Sequence, residues 1–305
     1  MRVYLAAVQS QLDPADYESW EGFERLVERL FSLALAEAPE GVPRLVAFPE
    51  LFGLPLTFLL DAPEAARRAE TTTKAALAWA RELKLASPPA LYRARALAVV
   101  PRYLEVFARA AKRWQSYVVA GTLLGPRLDR EPARGWYALG PWAYNIGFLL
   151  SPTGRVMARP EKTRLTPDEA KALIRPGSWG GQVARTRIGT IATLICLDAF
   201  HESLVERADA AGAWLLVQPS ANPAPWEGPW RPDPTRREGE AWLAEGLPKK
   251  LADRENLRYG LNPMLTGELY QLSFEGRSNL AAPGEVLAIT PSPRGEGVAA
   301  ALVEV

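Results

Sequence analysis

Apolar and polar positions along this chain follow two alternating periods. Short, nearly continuous apolar runs recur at VYLAAVQ (3–9), RLVAFP (44–49), YVVAG (117–121), IGFLL (146–150), TIATLIC (190–196), WLLVQP (214–219) and VLAIT (286–290). Runs of this length, rich in Val, Ile and Leu, predict strands covered on at least one face by helices. Between them apolar residues return at helical spacing. Residues 18–36 (ESWEGFERLVERLFSLALA) carry acids near the start of such a pattern, and 98–114, 201–211 and 248–258 read similarly. The alternation predicts an α/β fold. Its clearest unit is TIATLIC, then HESLVERADAAG, then AWLLVQP, a crossover between parallel strands with Gly212 at the helix end.

Two stretches break the pattern. Residues 54–97 hold helix-like pieces interrupted by Pro88 and Pro89, and 222–247 carry Pro223, Pro225, Pro229, Pro232 and Pro234 among three tryptophans. Both read as insertions into one domain spanning 1–305. Such excursions serve as lids and pocket walls, or equally as surface packing and oligomer contacts.

Composition narrows the function classes. A chain of 305 residues that is 48% hydrophobic can bury the core of one large α/β domain. Its 36 basic and 35 acidic residues leave a net charge of +1, which gives no electrostatic case for nucleic acid or an anionic membrane as partner. One Cys and one His exclude an internal disulfide and the usual Cys/His zinc sites, so a reducing, cytoplasmic setting is expected. The opening MRVYLAAVQSQLDP turns polar too soon for a signal peptide, and no later run is long enough for a membrane span. The tryptophans around 226–230 lack the strand–glycine–helix context of a phosphate loop and read as packing or pocket lining.

Three polar residues stand where apolar runs have just ended: Glu50 after RLVAFP, Lys162 after YNIGFLLSPTGRVMARPE, and Cys196 at the close of TIATLIC. The carboxyl ends of strands in open α/β sheets are where reactive groups converge. Taken singly, each has an ordinary structural reading: a core thiol, a capping acid, a solvated amine. Their joint delivery by separate strands points to chemistry instead.

The segments FPELFG (48–53), PEKTRL (160–165) and LICLDAF (194–200) resemble the three signature regions of the nitrilase, or carbon–nitrogen hydrolase, superfamily. Supporting similarity runs through VYLAAVQ, YNIGFLLSPTGRV, RPGSW, GAWLLVQPSA, RENLRYGLNP and GRSNLAAPGEVLA. The resemblance implies a four-layer α–β–β–α sandwich, a homodimer or larger assembly, and hydrolysis of a non-peptide C–N bond without metal or organic cofactor. It implies Cys196 as nucleophile, Glu50 as general base and later acid, and Lys162 as stabiliser of the tetrahedral intermediate, formed through a thioester route.

Amide cleavage needs those three functions together. A carboxylate beside a thiol disfavours the thiolate, so Cys196 is expected to rest as a neutral thiol that yields its proton to Glu50. A backbone N–H near Leu197 is expected to share the oxyanion with Lys162, and Asp198 to support the loop. The second Glu used by many relatives is matched by Glu169, although Thr166, Pro167 and Glu169 also form a capping box; Asp168 and Glu161 are weaker substitutes. His201 offers a rival Cys196–His201 dyad, less expected because it opens the following helix. Asn222, after PSA, marks a substrate-side contact.

LICLDAF is closer to the amidase-like branches than to true nitrilases, which favours a small amide or N-carbamoyl substrate. The alternatives are a nitrilase acting on a nitrile and a catalytically silent binding or scaffold homologue. In AFHES, the run after the nucleophile departs from the family's usual aromatic–Pro–Glu.

Overall fold

The computed structural model describes all residues except 86, 87, 132, 134, 172 and 173. The end of the segment after Glu169 and part of the 54–97 stretch therefore lie outside the described residues.

Strand alternation builds the architecture. In Arg2–Leu12, Tyr4, Ala6 and Val8 face one apolar cluster while Val3, Leu5 and Ala7 face another. Arg44–Phe48 divides its residues the same way, with Val46 and Phe48 on the first side and Leu45 and Ala47 on the second. Side chains that alternate while both faces are buried make a strand continuously apolar, which is why the sequence shows runs there and not alternation.

Two sheets result. The first is ordered Leu272–Phe274, Leu265–Leu269, Arg2–Leu12, Arg44–Phe48, Ser116–Glu131, Gly135–Leu150, Val156–Ala158, with Gly297–Glu304 also paired to Arg2–Leu12. The second is ordered Glu285–Ile289, Asn279–Ala282, Tyr259–Asn262, Ala213–Val217, Gly189–Thr193, Val183–Thr186. Val3, Leu5 and Leu45 of the first sheet share a cluster with Ile191, Leu215 and Leu261 of the second, so the sheets meet face to face. Outside the first sheet, helices Trp20–Ala34 and Pro88–Arg113 supply Phe23, Leu30, Tyr103 and Phe107. Outside the second, Glu202–Ala210 and Leu247–Leu251 supply Leu204, Val205 and Leu251. Three cores separate four layers, the expected α–β–β–α sandwich.

The crossover expected from the sequence is present: Gly189–Thr193 and Ala213–Val217 run parallel around helix Glu202–Ala210, and Gly212 follows it at φ 75°. Four details differ from expectation. Pro88 begins the helix Pro88–Arg113 instead of interrupting one, because a first-turn residue has no helical N–H bond to lose. The runs at 117–121 and 146–150 are the inner ends of a hairpin, Ser116–Glu131 with Gly135–Leu150, whose outer half is interrupted by Gly125, Pro126, Gly140 and Pro141 and so does not read as strand. The strand before Cys196 ends at Thr193. The pattern at 248–258 is helical only through Leu251; beyond it Asp209 accepts the backbone N–H groups of Glu255, Asn256 and Leu257, holding that stretch in a bend outside the helix.

The 54–97 excursion folds into Leu54–Leu59, Glu64–Arg67, Thr72–Glu82 and the start of Pro88–Arg113, and buries Leu56, Phe58 and Trp79 on the outer face of the first sheet. The 222–247 excursion packs Trp242 edge-on against Phe200 at 4.9 Å, beside the turn that carries Cys196.

One glycine ties the first sheet to the segment that carries Glu50. Gly121 has φ 64°, and a Cβ there would meet the Pro49 carbonyl oxygen at 2.4 Å and the Phe52 Cβ at 2.9 Å. Gly121→Ala is expected to destabilise the protein by about 3 kcal/mol, from positive-φ strain plus the backbone clash. Chemical denaturation measures this; a loss below about 0.5 kcal/mol, the range of neutral surface changes, would mean the turn is free to move.

Candidate active site

Glu50 leaves its strand through a turn pinned by a neighbouring residue. Thr122 Oγ1 accepts from Leu51 N at 2.8 Å, Thr122 N donates to Pro49 O at 3.3 Å, and Gly53 N donates to Thr122 O at 3.0 Å. The carboxylate that this turn presents is 2% exposed. Its Oε1 accepts from Lys162 Nζ and Asn145 Nδ2, each at 2.8 Å, and its Oε2 accepts from the Ala221 N–H at 3.1 Å.

Lys162 lies in a segment stitched along the hairpin strand Gly135–Leu150. Gly147 N donates to Pro160 O at 2.8 Å and Lys162 N to Asn145 O at 2.9 Å. Its ammonium, also in a residue 2% exposed, sits between two carboxylates, 2.8 Å from Glu50 Oε1 and 2.8 Å from Glu169 Oε1. Glu169 therefore does two things at once. Oε2 accepts from Thr166 N at 2.8 Å, completing the capping box with Thr166 Oγ1, which accepts from Glu169 N at 3.3 Å. Oε1 turns inward to the lysine.

Cys196 opens a single tight helical turn, Cys196–Phe200, with φ 49°, a left-handed conformation unfavourable for a residue with a side chain. Its backbone is clamped on both sides: its N–H donates to Pro219 O at 2.9 Å, and its carbonyl accepts from Gln218 Nε2 at 3.0 Å. Asn262 Nδ2 in turn donates to Gln218 O at 2.6 Å and Ser220 Oγ at 2.9 Å. Asp198, fully buried, joins this turn to the lysine's loop by accepting from Thr163 N at 2.9 Å, Thr163 Oγ1 at 3.0 Å and Arg164 N at 2.7 Å.

The charges act on one another strongly because water is excluded. Burial pushes the Cys196 thiol up, Glu50 pushes it further, and Lys162 only partly opposes them; the thiol ends well above its ordinary value. Burial likewise raises Glu50 against the pull of Lys162, while the Cys196 thiol hydrogen-bonds its carboxylate. Burial by itself lowers the Lys162 ammonium, but Glu50, Cys196 and Glu169 outweigh that and hold it charged. Asp198 is raised by burial, against the backbone donors of Thr163 and Arg164.

The structure thus brings the buried Glu50, Lys162 and Cys196 and the half-buried Glu169 into one cluster, with Leu197 and Asp198 in the turn that follows the thiol. Other sequence candidates stand apart. Glu161 pairs with Arg127 through two bonds of 2.6 and 2.7 Å, and Asp168 is exposed in the helix Pro167–Lys171. His201 precedes helix Glu202–Ala210, its N–H donating to Asp198 O at 3.2 Å; the charges felt by the thiol are those of Glu50, Lys162 and Glu169. Asn222 is buried beside the cluster, but its Nδ2 donates to Ala224 O at 3.1 Å and Glu275 O at 3.3 Å. Asn145, Gln218 and Asn262 were not singled out from the sequence. A lone amide inside an otherwise apolar run was the available signal. Among the described residues no group of three or more His, Cys, Asp and Glu is placed to hold a metal ion, and no helix is long and apolar enough to cross a membrane.

Residues 5–235 match the profile of the family described as carbon-nitrogen hydrolase. No curated protein matches the chain. Solved structures similar in fold include a carbon-nitrogen hydrolase from Helicobacter pylori G27, at 18% identity and a TM-score of 0.67, covering 100% of this chain and 90% of that one. An amidase from Nesterenkonia sp. aligns at 19% identity and TM-score 0.62, covering 99% and 90%. Nit3 of Saccharomyces cerevisiae, a member of branch 10 of the nitrilase superfamily, aligns at 17% identity and TM-score 0.62, covering 99% and 89%.

Asp198→Asn keeps the volume but sets an amide N–H against the Thr163 N–H. It is expected to cost about 2 kcal/mol of stability, the scale of a buried donor left unsatisfied. A denaturant titration reads this, and an unchanged midpoint would show that the two loops are held together by something else.

Proposed function

Because the chain belongs to the carbon-nitrogen hydrolase family, we propose that it hydrolyses the C–N bond of a small amide or N-carbamoyl compound through a thioester on Cys196. The observation that carries this reading is the thiol meeting Glu50 and Lys162 in a buried cluster. In the first step Glu50 takes the thiol proton as sulfur bonds to the carbonyl carbon, so no free thiolate accumulates. The oxyanion forms against Lys162 Nζ and the backbone N–H of Leu197, preorganised donors in a site without bulk water. The proton held by Glu50 passes to the leaving nitrogen as the C–N bond breaks, releasing ammonia or an amine and leaving the thioester. Water then attacks with Glu50 as base, the C–S bond breaks, and the acid departs with the thiol restored.

In this reading Glu169 balances Lys162 with Glu50, Asp198 supports the loop, and the already engaged Asn222 amide shapes the wall beside Ala221 more than it grips substrate. A Cys-to-Ala mutant of the amidase from Nesterenkonia sp. AN1, similar in fold, has been solved in complex with butyramide, which favours a small amide as the first compound to try. The family resemblance extends the proposal to a cytoplasmic homodimer or larger assembly.

Ammonia release from a panel of small aliphatic amides, N-carbamoyl compounds and nitriles tests the reading. Amides or carbamoyl compounds are expected to be turned over, Cys196→Ala to lose at least about a thousandfold in kcat/KM, and Glu50→Gln a comparable factor. Turnover confined to nitriles would replace the substrate class. Undiminished turnover in Cys196→Ala would end the mechanism.

A further inference from the structure

Asn145 is wholly buried, and its amide nitrogen is the second donor, after Lys162 Nζ, to the same two oxygens: Glu50 Oε1 at 2.8 Å and Glu169 Oε1 at 3.4 Å. Two carboxylates and two donors close a four-cornered ring. The amide orientation follows from the partners, since the reverse would set its oxygen against both carboxylates. That orientation leaves Asn145 Oδ1 buried without a hydrogen-bond partner among the described residues. An orphaned buried acceptor is a cost that a residue chosen only for stability would avoid. The backbone of Asn145 belongs to the same arrangement, because its carbonyl accepts the Lys162 N–H at 2.9 Å.

We infer that Asn145 is a positioning residue: by donating to both Glu50 and Glu169 it holds two carboxylates on one ammonium, and keeps Glu50 ionised and aimed at the thiol. This rests on the reading of Glu50 as the base for Cys196. A neutral donor suits the place. A second cation would neutralise the base, while an apolar side chain would leave two carboxylates sharing Lys162 alone. The groups facing the Glu50 carboxylate are Lys162, Glu169, the Cys196 thiol and the Ala221 N–H. Removing the Asn145 donor takes stabilisation from the charged form, so the carboxyl pKa rises and proton abstraction begins at higher pH.

The single cysteine makes iodoacetamide labelling a site-specific readout that needs no known substrate. The labelling rate of the intact wild-type protein is measured against pH, with Glu50→Gln, Asn145→Ala and Asn145→Asp beside it and thermal melts to check folding. Glu50→Gln is expected to abolish the lower inflection. Asn145→Ala is expected to move that inflection up by about one pH unit, the scale of one lost hydrogen bond to a carboxylate, and Asn145→Asp to move it at least as far. If Glu50→Gln leaves the profile intact, the base assignment fails and the inference falls with it. If Glu50→Gln abolishes the inflection while neither Asn145 variant shifts it, the inference alone is overturned. Loss of fold in both Asn145 variants would assign the residue to the core and overturn it too.

Discussion

One buried ammonium held between a buried carboxylate, Glu50, and a half-buried one, Glu169, is the constraint around which the site is arranged. Lys162 Nζ stands 2.8 Å from both Glu50 and Glu169, where an unpaired charge would be prohibitive. Burial first, and Glu50 after it, push the neighbouring thiol well above its ordinary value, with Lys162 opposing them only in part. The resulting site differs from a cysteine–histidine pair, in which a resting thiolate is stabilised by an imidazolium. Here burial and Glu50 favour the neutral thiol of Cys196, and under the proposed mechanism it gives up its proton only as it attacks.

Such a cluster exists only if distant backbone segments hold their places, and each does so for a local reason. Gly121 lets the first sheet pass within contact of Pro49, so Glu50 emerges from a fixed turn. Gln218 and Pro219 clamp Cys196 in a left-handed conformation that it would not adopt unaided. Asp198 ties that turn to the loop carrying Lys162. The sandwich supplies the rigid ends of strands, and these short polar contacts convert strand ends into a site.

Much of this was legible in the sequence, and the parts that were not have physical causes. Strands buried on both faces announce themselves as apolar runs, so the inner ends of the sheets were readable. The outer half of the hairpin, exposed and polar at Asp129, Arg130 and Glu131, carried no such mark. Pro88 reads as a break because proline interrupts helices more often than it starts them, and its place at the start of Pro88–Arg113 is a tertiary fact. Glu50, Lys162 and Cys196 share no local pattern; their common place at the ends of apolar runs suggests a joint site, and the family resemblance supplies their roles. Asn145 and Gln218 were missed for a related reason. Each is a single polar residue in or beside an apolar run, YNIGF and LLVQP, and its meaning depends on which carboxylate or carbonyl stands opposite.

The protonation state of the resting nucleophile tests this account most directly. The far-ultraviolet absorbance that distinguishes thiolate from thiol, recorded as wild type minus Cys196→Ala across a pH titration, reads it without substrate. The account predicts no thiolate through neutral pH, with the signal emerging only under strongly alkaline conditions. A thiolate already present at neutral pH would contradict it, because burial and the neighbouring Glu50 could not then be holding the proton on the sulfur.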